Sequence, residues 1–414
     1  MATAESLIPR AIAPLRRRLL LALAVFGAGR HAGLSVALAA GANHGGDRAA
    51  DPAAGSRASI EGPPEPPYAP VVPGHRLAFP HDHGMHPDFR IEWWYITGWL
   101  DAAARGAAGA GRRGDHFGPR DDVGPYGFQI TFFRVRTRHA LDNPSRFAPR
   151  QLLLAHAAIA DPALGRLRHD QQAWRTGELA TVAAGDTAIE LPGWRLLRNV
   201  DDTYLAEVDT GDFGYSLRLH PSAPPLPQGD GGYSRKGPRP EQASYYYSRP
   251  GLRAEGTLRI GDREYDVRGS GWLDHEWSSE LMPEAAVGWD WTGINLDDGG
   301  SLLAFRLRDV RGGAVHSHGR LRDRHGDVLD APPVFSPRRF WESPRTGIRY
   351  PVEWIVTLGD KSFVLRPLFD DQELDARGSS GTVYWEGAVT ASLDGHIVGR
   401  GYLELTGYGT PIEL

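Results

Sequence analysis

Apolar and polar residues alternate along most of this chain. Phe128, Ile130 and Phe132 alternate with Gln129 and Thr131, and Phe133 and Val135 with Arg134 and Arg136. Leu303, Phe305 and Leu307 alternate with Ala304, Arg306 and Arg308, and Val383, Trp385 and Gly387 with Tyr384 and Glu386. Successive side chains of a strand point to opposite faces, so a period of two predicts half-buried strands. The pairs Gly261-Asp262, Asp298-Gly299 and Asp394-Gly395 fall between such runs, where hairpins need positive φ. Nothing in the later chain keeps an apolar period of 3.6, so helices should be few and short. The expected fold class is all-β.

Several segments fall outside this pattern. Arg16, Arg17 and Arg18 precede the apolar run Leu19 to Gly29, and Ala37-Leu38-Ala39 follows it. A basic start, a short apolar run and a small-residue site read as a secretory signal over residues 1–40. The run is shorter than the roughly 20 residues that a bilayer-spanning helix needs. Arg16-Arg17 leave a twin-arginine route open beside the general one. The expected location is therefore exported, periplasmic or secreted. Residues 41–75 are rich in Ala, Gly and Pro and read as a linker. Asp101 to Pro125 reads as a long hairpin loop, and Pro221 to Gly237 as a rigid surface turn. A change of composition at Met282-Pro283-Glu284 divides the rest into residues 76–284 and 285–414. No tandem repeat at fixed spacing stands out.

Composition narrows the chemistry. With 41% hydrophobic and 23% charged residues over 414 positions, the chain can bury a sizeable core. Cys 0 removes thiol nucleophiles, disulfides and Cys-ligated metal clusters. A net charge of −5 gives no reason to expect a nucleic-acid partner. There is no G-x-S-x-G elbow, H-E-x-x-H zinc motif, Walker loop or G-x-G-x-x-G turn. His81, His83 and His86 with Asp82 and Asp88 could supply metal ligands, as could His316 and His318. A Gly/Pro loop lacks the fixed scaffold that a metal site needs, so no metal and no cofactor is expected.

Three segments set polar groups among aromatics: Phe79 to Leu100 (FPHDHGMHPDFRIEWWYITGWL), Ala243 to Ser279 (with SYYYS and GSGWLDHEWSS) and Gly288 to Asn295 (GWDWTGIN). Seven of the twelve Trp fall here. Glu92, Asp274, Glu276 and Asp290 are interleaved with them, and His275 stands in the middle of DHEW. On strands, Asp274 and Glu276 would share one face, with His275 and Trp277 on the other. Trp289 and Trp291 would likewise share a face opposite Asp290. Such acids are equally the wall of an ordinary β-barrel, bonding loop amides.

These motifs, with QGDGGYSRKG and DDQELDARGSSGTVYWEGAV, resemble the AttH/CrtC family of carotenoid 1,2-hydratases (hydroxyneurosporene synthases) and secreted AttH-like proteins. The resemblance runs in order over about residues 76–414 and implies two lipocalin-like β-barrel domains packed against each other, with a ligand cleft between them. It implies an apolar isoprenoid or polyene-like ligand and a cofactor-independent hydratase adding water to an isolated alkene. It leaves open a non-catalytic carrier or a hydrolase, and whether the chain is an enzyme at all. The export signal places this chain nearer the secreted AttH-like branch. For hydration, Asp274 or His275 would be the acid, and Asp290 or Glu92 would hold the water. Trp93, Trp94, Tyr95, Tyr247, Trp277, Trp289 and Trp291 would offer ligand-binding faces, and aromatic rings can stabilise a cation. A lipid-soluble substrate would suit peripheral membrane contact.

Overall fold

The computed structural model describes residues 68–104, 123–139, 143–145 and 148–412. The expected signal over residues 1–40 and most of the linker over 41–75 lie outside these residues, as do 105–122 of the expected hairpin loop. Where the linker is described, it is already part of the fold. Val71 is buried in the first core, and Val72 N–H donates to the Tyr245 hydroxyl at 3.0 Å.

Two antiparallel sheets make up the architecture, and one 3-10 turn, His81–His83, is the only helix among the described residues. The first sheet runs from Ile91 to Ser278 and the second from Gly288 to Leu405. Residues 279–287 connect the two sheets. The two sheets share one topology. In the first, Ile91–Ala104, Val123–Arg136, Gln151–Asp161 and Arg166–Arg175 pair in sequence to one side, and the last strand, Arg263–Ser278, returns beside Ile91–Ala104. In the second, Gly288–Leu296 begins the same four-strand meander, and His396–Leu405 returns beside it. This repeat lies in connectivity and leaves no fixed spacing in the sequence.

Each sheet curls round its own apolar core, as in lipocalin-like folds. Trp94, Ile96, Leu273 and Trp277 fill the first core, and Ile294, Trp354, Trp385 and Leu403 the second. A third cluster lies between the sheets, built from the opposite faces of the same strands: Tyr95, Trp99 and Trp272 from the first, Trp291, Tyr384 and Tyr402 from the second. Period two thus sends alternate residues of one strand into two different cores. Three observations explain why the sheets meet closely. Trp99 Nε1 donates to the Gly401 carbonyl at 2.9 Å. The Asn295 amide bridges Gly251 and Gly271 at 2.7 and 3.0 Å. A Cβ at Gly127 would stand only 2.6 Å from Ala388 Cβ and from the Tyr402 hydroxyl.

The turn chemistry follows expectation at Asp394-Gly395, where φ of 50° and 83° closes the two-residue hairpin between the last two strands. Pro221–Gly237 differs from the expected surface turn. It carries two short strands, Leu226–Pro227 and Tyr233–Arg235, paired to Ala243–Ile260, and it buries Gln228, Ser234 and Lys236. Its Gly and Pro residues let it fold back over the sheet and place a lysine between the sheets.

Candidate active site

Between the sheets lies a cavity of about 820 Å³, counted out to its open mouth. Trp93, Tyr95, Phe133, Tyr246, Trp289 and Trp291 form most of its walls. Four carboxyl groups face it: Asp274 and Glu276 from the first sheet, Glu386 and Glu404 from the second.

Asp274 sits at the centre of a donor set. Tyr246 Oη donates to Oδ2 at 2.5 Å, and the Ser248 hydroxyl and Trp272 Nε1 donate to Oδ1 at 2.6 and 2.7 Å. Two of these donors are fixed from behind, since Trp291 Nε1 donates to Tyr246 Oη at 3.1 Å and Gln228 Nε2 to Ser248 Oγ at 2.9 Å. Burial pushes the Asp274 carboxyl up more strongly than these donors pull it down, to about 7. Glu276 is held as an ion pair with Lys236 Nζ at 2.8 Å and accepts from Ser244 Oγ at 2.5 Å. Lys236 Nζ also lies 4.0 Å from the centre of the Phe305 ring. Burial draws the lysine below its ordinary value, against the pull of Glu276.

The second-sheet carboxyls have fewer donors. Glu386 and Glu404 are direct cross-strand partners. Burial and then the neighbouring Glu404 push Glu386 well above the carboxylate range. Burial likewise raises Glu404 to about 7. Tyr95 and Tyr384 stand beside Glu386, yet Glu386 Oε1 and Tyr95 Oη make no hydrogen bond of sound geometry.

The expected site residues divide into three places. Asp274, Trp93, Tyr95, Trp289 and Trp291 line the cavity. His275, Glu92, Trp94, Tyr247 and Trp277 lie inside the first barrel, because they occupy the opposite face of the same strands. There His275 Nε2 meets Glu92 Oε1 at 2.9 Å and His275 Nδ1 meets the Tyr247 hydroxyl at 3.2 Å. Of the two candidate acids only Asp274 faces the cavity, because adjacent strand residues point to opposite sides of the sheet. Asp290 lies in a third place, on the inner face of the second sheet, in ion pairs with Arg306 and Arg308 at 2.7 and 3.0 Å. Neither Glu92 nor Asp290 reaches the cavity to hold a water there. Glu404, Lys236 and Tyr246 do face it, and sequence reading gave none of them a site role. Glu386 had appeared only as a polar position in the alternation around Trp385.

The histidine loop packs against the first barrel's inner wall. His86 Nδ1 and the His86 backbone N–H bond Glu92 at 2.7 and 2.9 Å, Arg134 Nε bonds Glu92 at 2.8 Å, and His86 stacks on Trp277 at 3.7 Å. Among the described residues, the donor atoms of His81, Asp82 and His86, and of His86, Glu92 and His275, lie close enough to share an ion. Burial opposes charge on Glu92, but the bonds to His275, His86 and Arg134 outweigh it and hold the carboxylate well below its usual range. Burial also opposes the His86 imidazolium, and its bonds to Asp82 and Glu92 outweigh that and raise it. Two acids thus face an arginine and a histidine cation. This donor set is already satisfied as a closed ion-pair network, a poor fit to a metal centre. His316 and His318 lie apart from it, beside Phe305, and burial lowers both to about 4.

The AttH-like family profile matches residues 70–111 and 119–408. The chain belongs to the AttH-like family. This AttH-like protein superposes on a crystal structure from Nitrosomonas europaea assigned as an AttH, with 45% identity and a TM-score of 0.73, covering 82% of this chain and 99% of that one. It shares its fold with kievitone hydratase from Nectria haematococca, at 13% identity and a TM-score of 0.58 over 84% of this chain and 98% of that one. No curated protein matches the sequence.

Proposed function

We propose that this AttH-like protein is an exported, cofactor-independent enzyme that binds an apolar, isoprenoid or polyene-like ligand in the cavity between its sheets and adds water to an isolated carbon–carbon double bond. The observation that carries this reading is Asp274: a carboxyl in an aromatic-walled cavity whose pKa sits at about 7 can hold or release a proton near neutrality. The fold likeness to a hydratase agrees with it. Export rests on the arginine-led apolar run Leu19 to Gly29 and the Ala37-Leu38-Ala39 site. Peripheral contact with a membrane would give access to a lipid-soluble ligand.

Hydration needs a proton for one alkene carbon, stabilisation of the cation left on the other, and a base for the attacking water. One cavity carboxyl forms the new C–H bond with its own proton. The π faces of Trp289 and Trp291 and the carboxylates around them suit the cation. A water oxygen then bonds to that carbon, and a second carboxyl takes the water's proton. The sum is alkene plus water giving a tertiary alcohol.

Incubating the purified protein with an acyclic polyprenoid extract and analysing the recovered ligand by mass spectrometry tests this. The reading expects a gain of one water. A bound ligand recovered unchanged would instead mark a carrier.

A further inference from the structure

We propose that Glu386 and Glu404 are the proton source of this cavity: the cross-strand pair holds one shared proton and delivers it to the ligand from the second sheet, while Asp274 on the first sheet takes a proton from water. This assignment rests on the hydratase reading above and names the two halves of its acid–base chemistry.

The two walls of the cavity treat their carboxyls differently. On the first sheet, Asp274 accepts three hydrogen bonds and Glu276 accepts from Ser244 and pairs with Lys236. Inbound donors favour the carboxylate and work against the burial that raises Asp274. Trp272 Nε1 can only donate, and Tyr246 and Ser248 already accept from Trp291 and Gln228, which directs their protons at Asp274. On the second sheet, Glu386 and Glu404 stand directly opposite on neighbouring antiparallel strands, and both side chains face the cavity. Cross-strand partners have Cβ atoms about 5 Å apart, so two carboxylates there repel and one holds a proton.

Among the described residues no cation is paired with either acid: the groups around Glu386 include the Tyr95, Tyr384 and Tyr402 phenols and Glu404, while Glu404 has the Trp289 indole, with Asp274 and Glu276 within electrostatic range. Lys236, the cavity's cation, is bound to Glu276. Glu386 is buried, and its Oε1 has no partner. A protonated oxygen without an acceptor is free to give its proton to a ligand carbon. The two walls differ in their surroundings, with donors and a lysine on one and phenols and a like-charged neighbour on the other, and we assign base and acid to them on that difference.

The step balances. The O–H bond of the Glu386–Glu404 pair breaks and a C–H bond forms. Water adds to the cation, and its proton passes to Asp274. Solvent exchange at the open mouth returns a proton from Asp274 to the pair. No oxidant or reductant is needed.

Infrared spectroscopy of the full chain in the protonated-carboxyl C=O region tests the assignment without any ligand. The expected result is a band in the wild type that persists well above pH 7, where Asp274 has ionised, is lost there in Glu386→Gln, and remains in Asp274→Asn. In Glu404→Gln the like-charged neighbour is gone, so the remaining band should disappear at a pH lower by about one unit or more. This second variant keeps the test informative if Glu386→Gln does not fold. Loss of the band only in Asp274→Asn, no shift in Glu404→Gln, or no protonated carboxyl above pH 7 in the wild type would overturn the assignment. Each of those results is independent of whether the polyprenoid assay shows hydration, so the two readings fail separately.

Discussion

Asp274 and His275 are neighbours in the chain whose side chains never share a space: one faces the cavity between the sheets, the other the interior of the first barrel. Each is fully buried on its own side, Asp274 beneath Tyr246 and Trp272, His275 against Trp94 at 4.5 Å. Substitutions at the two positions should therefore have unlike effects. Asp274→Asn keeps the size of the side chain but turns an amide N–H₂ toward donors aimed at this position, so it should lower hydration of a polyprenoid about a hundredfold or more and cost about 1–3 kcal/mol of stability. His275→Ala removes a stacked ring and two hydrogen bonds, and should cost about 3 kcal/mol of stability, read by chemical denaturation.

Glu92 and Arg134 form an ion pair at 2.8 Å with both side chains fully buried. Glu92→Ala leaves the guanidinium without its counter-charge, and the His86 cation loses a partner as well. Breaking a buried pair from one side costs about 3–5 kcal/mol, so this variant should melt far below the wild type. A Glu92→Gln variant should fall between the two.

Tyr246 tunes Asp274. Its hydroxyl donates to the carboxylate at 2.5 Å, which favours the charged form. Tyr246→Phe removes that donor, so the Asp274 pKa should rise from about 7. Carboxyl-carbon NMR titration of the variant against the wild type reads the shift directly. A fall would mean that the Tyr246 hydroxyl accepts from a protonated Asp274 instead of donating to its carboxylate.

His83 and His156 are buried and neutral, and burial lowers the pKa of each to about 3, from an ordinary 6.5. Nearby arginines add to the effect at His83, and His169 at His156. In the unfolded chain each imidazole takes up a proton below pH 6.5, while in the fold it does not. Their contribution is present above pH 6.5 and is lost as pH falls from there toward 3. Urea titrations should show stability dropping by on the order of 1–2 kcal/mol per ring by about pH 5. The sign is the same for Glu92, whose depressed carboxyl withdraws its contribution at lower pH.

Gly127 lets the two sheets approach. A Cβ there would lie 2.6 Å from Ala388 Cβ and from the Tyr402 hydroxyl, both on the second sheet. Gly127→Val should cost about 1–3 kcal/mol through overpacking and weaken ligand binding in the cavity at the same interface, seen as reduced tryptophan quenching by a bound polyene.

The strands were readable in the sequence because their alternation is regular, and so was the division of GWLDHEW and GWDW into opposite faces. What alternation could not supply was the destination of each face. A sheet with one wet side hides its polar residues outside; here the Ile91–Ala104 and Arg263–Ser278 strands are covered on both sides, by the first core and by the second sheet. Glu386 and Glu404 occupy ordinary polar positions of YWEGA and YLEL, and nothing local distinguishes them from solvent-facing glutamates. Their meeting depends on strand pairing over 18 residues and on a second sheet closing above them. Lys236 reads as a loop lysine for the same reason: the fold-back of its Gly- and Pro-rich segment is a tertiary event.

The central claim is that carboxyl groups in the cavity move a proton onto a ligand carbon. The most direct measurement is turnover of an acyclic polyprenoid in deuterium oxide, followed by mass spectrometry and proton NMR of the recovered ligand. The account predicts one carbon-bound deuterium and one added water per double bond converted, and neither with Asp274→Asn. Ligand that binds, quenches tryptophan fluorescence and returns with no carbon-bound deuterium would contradict it.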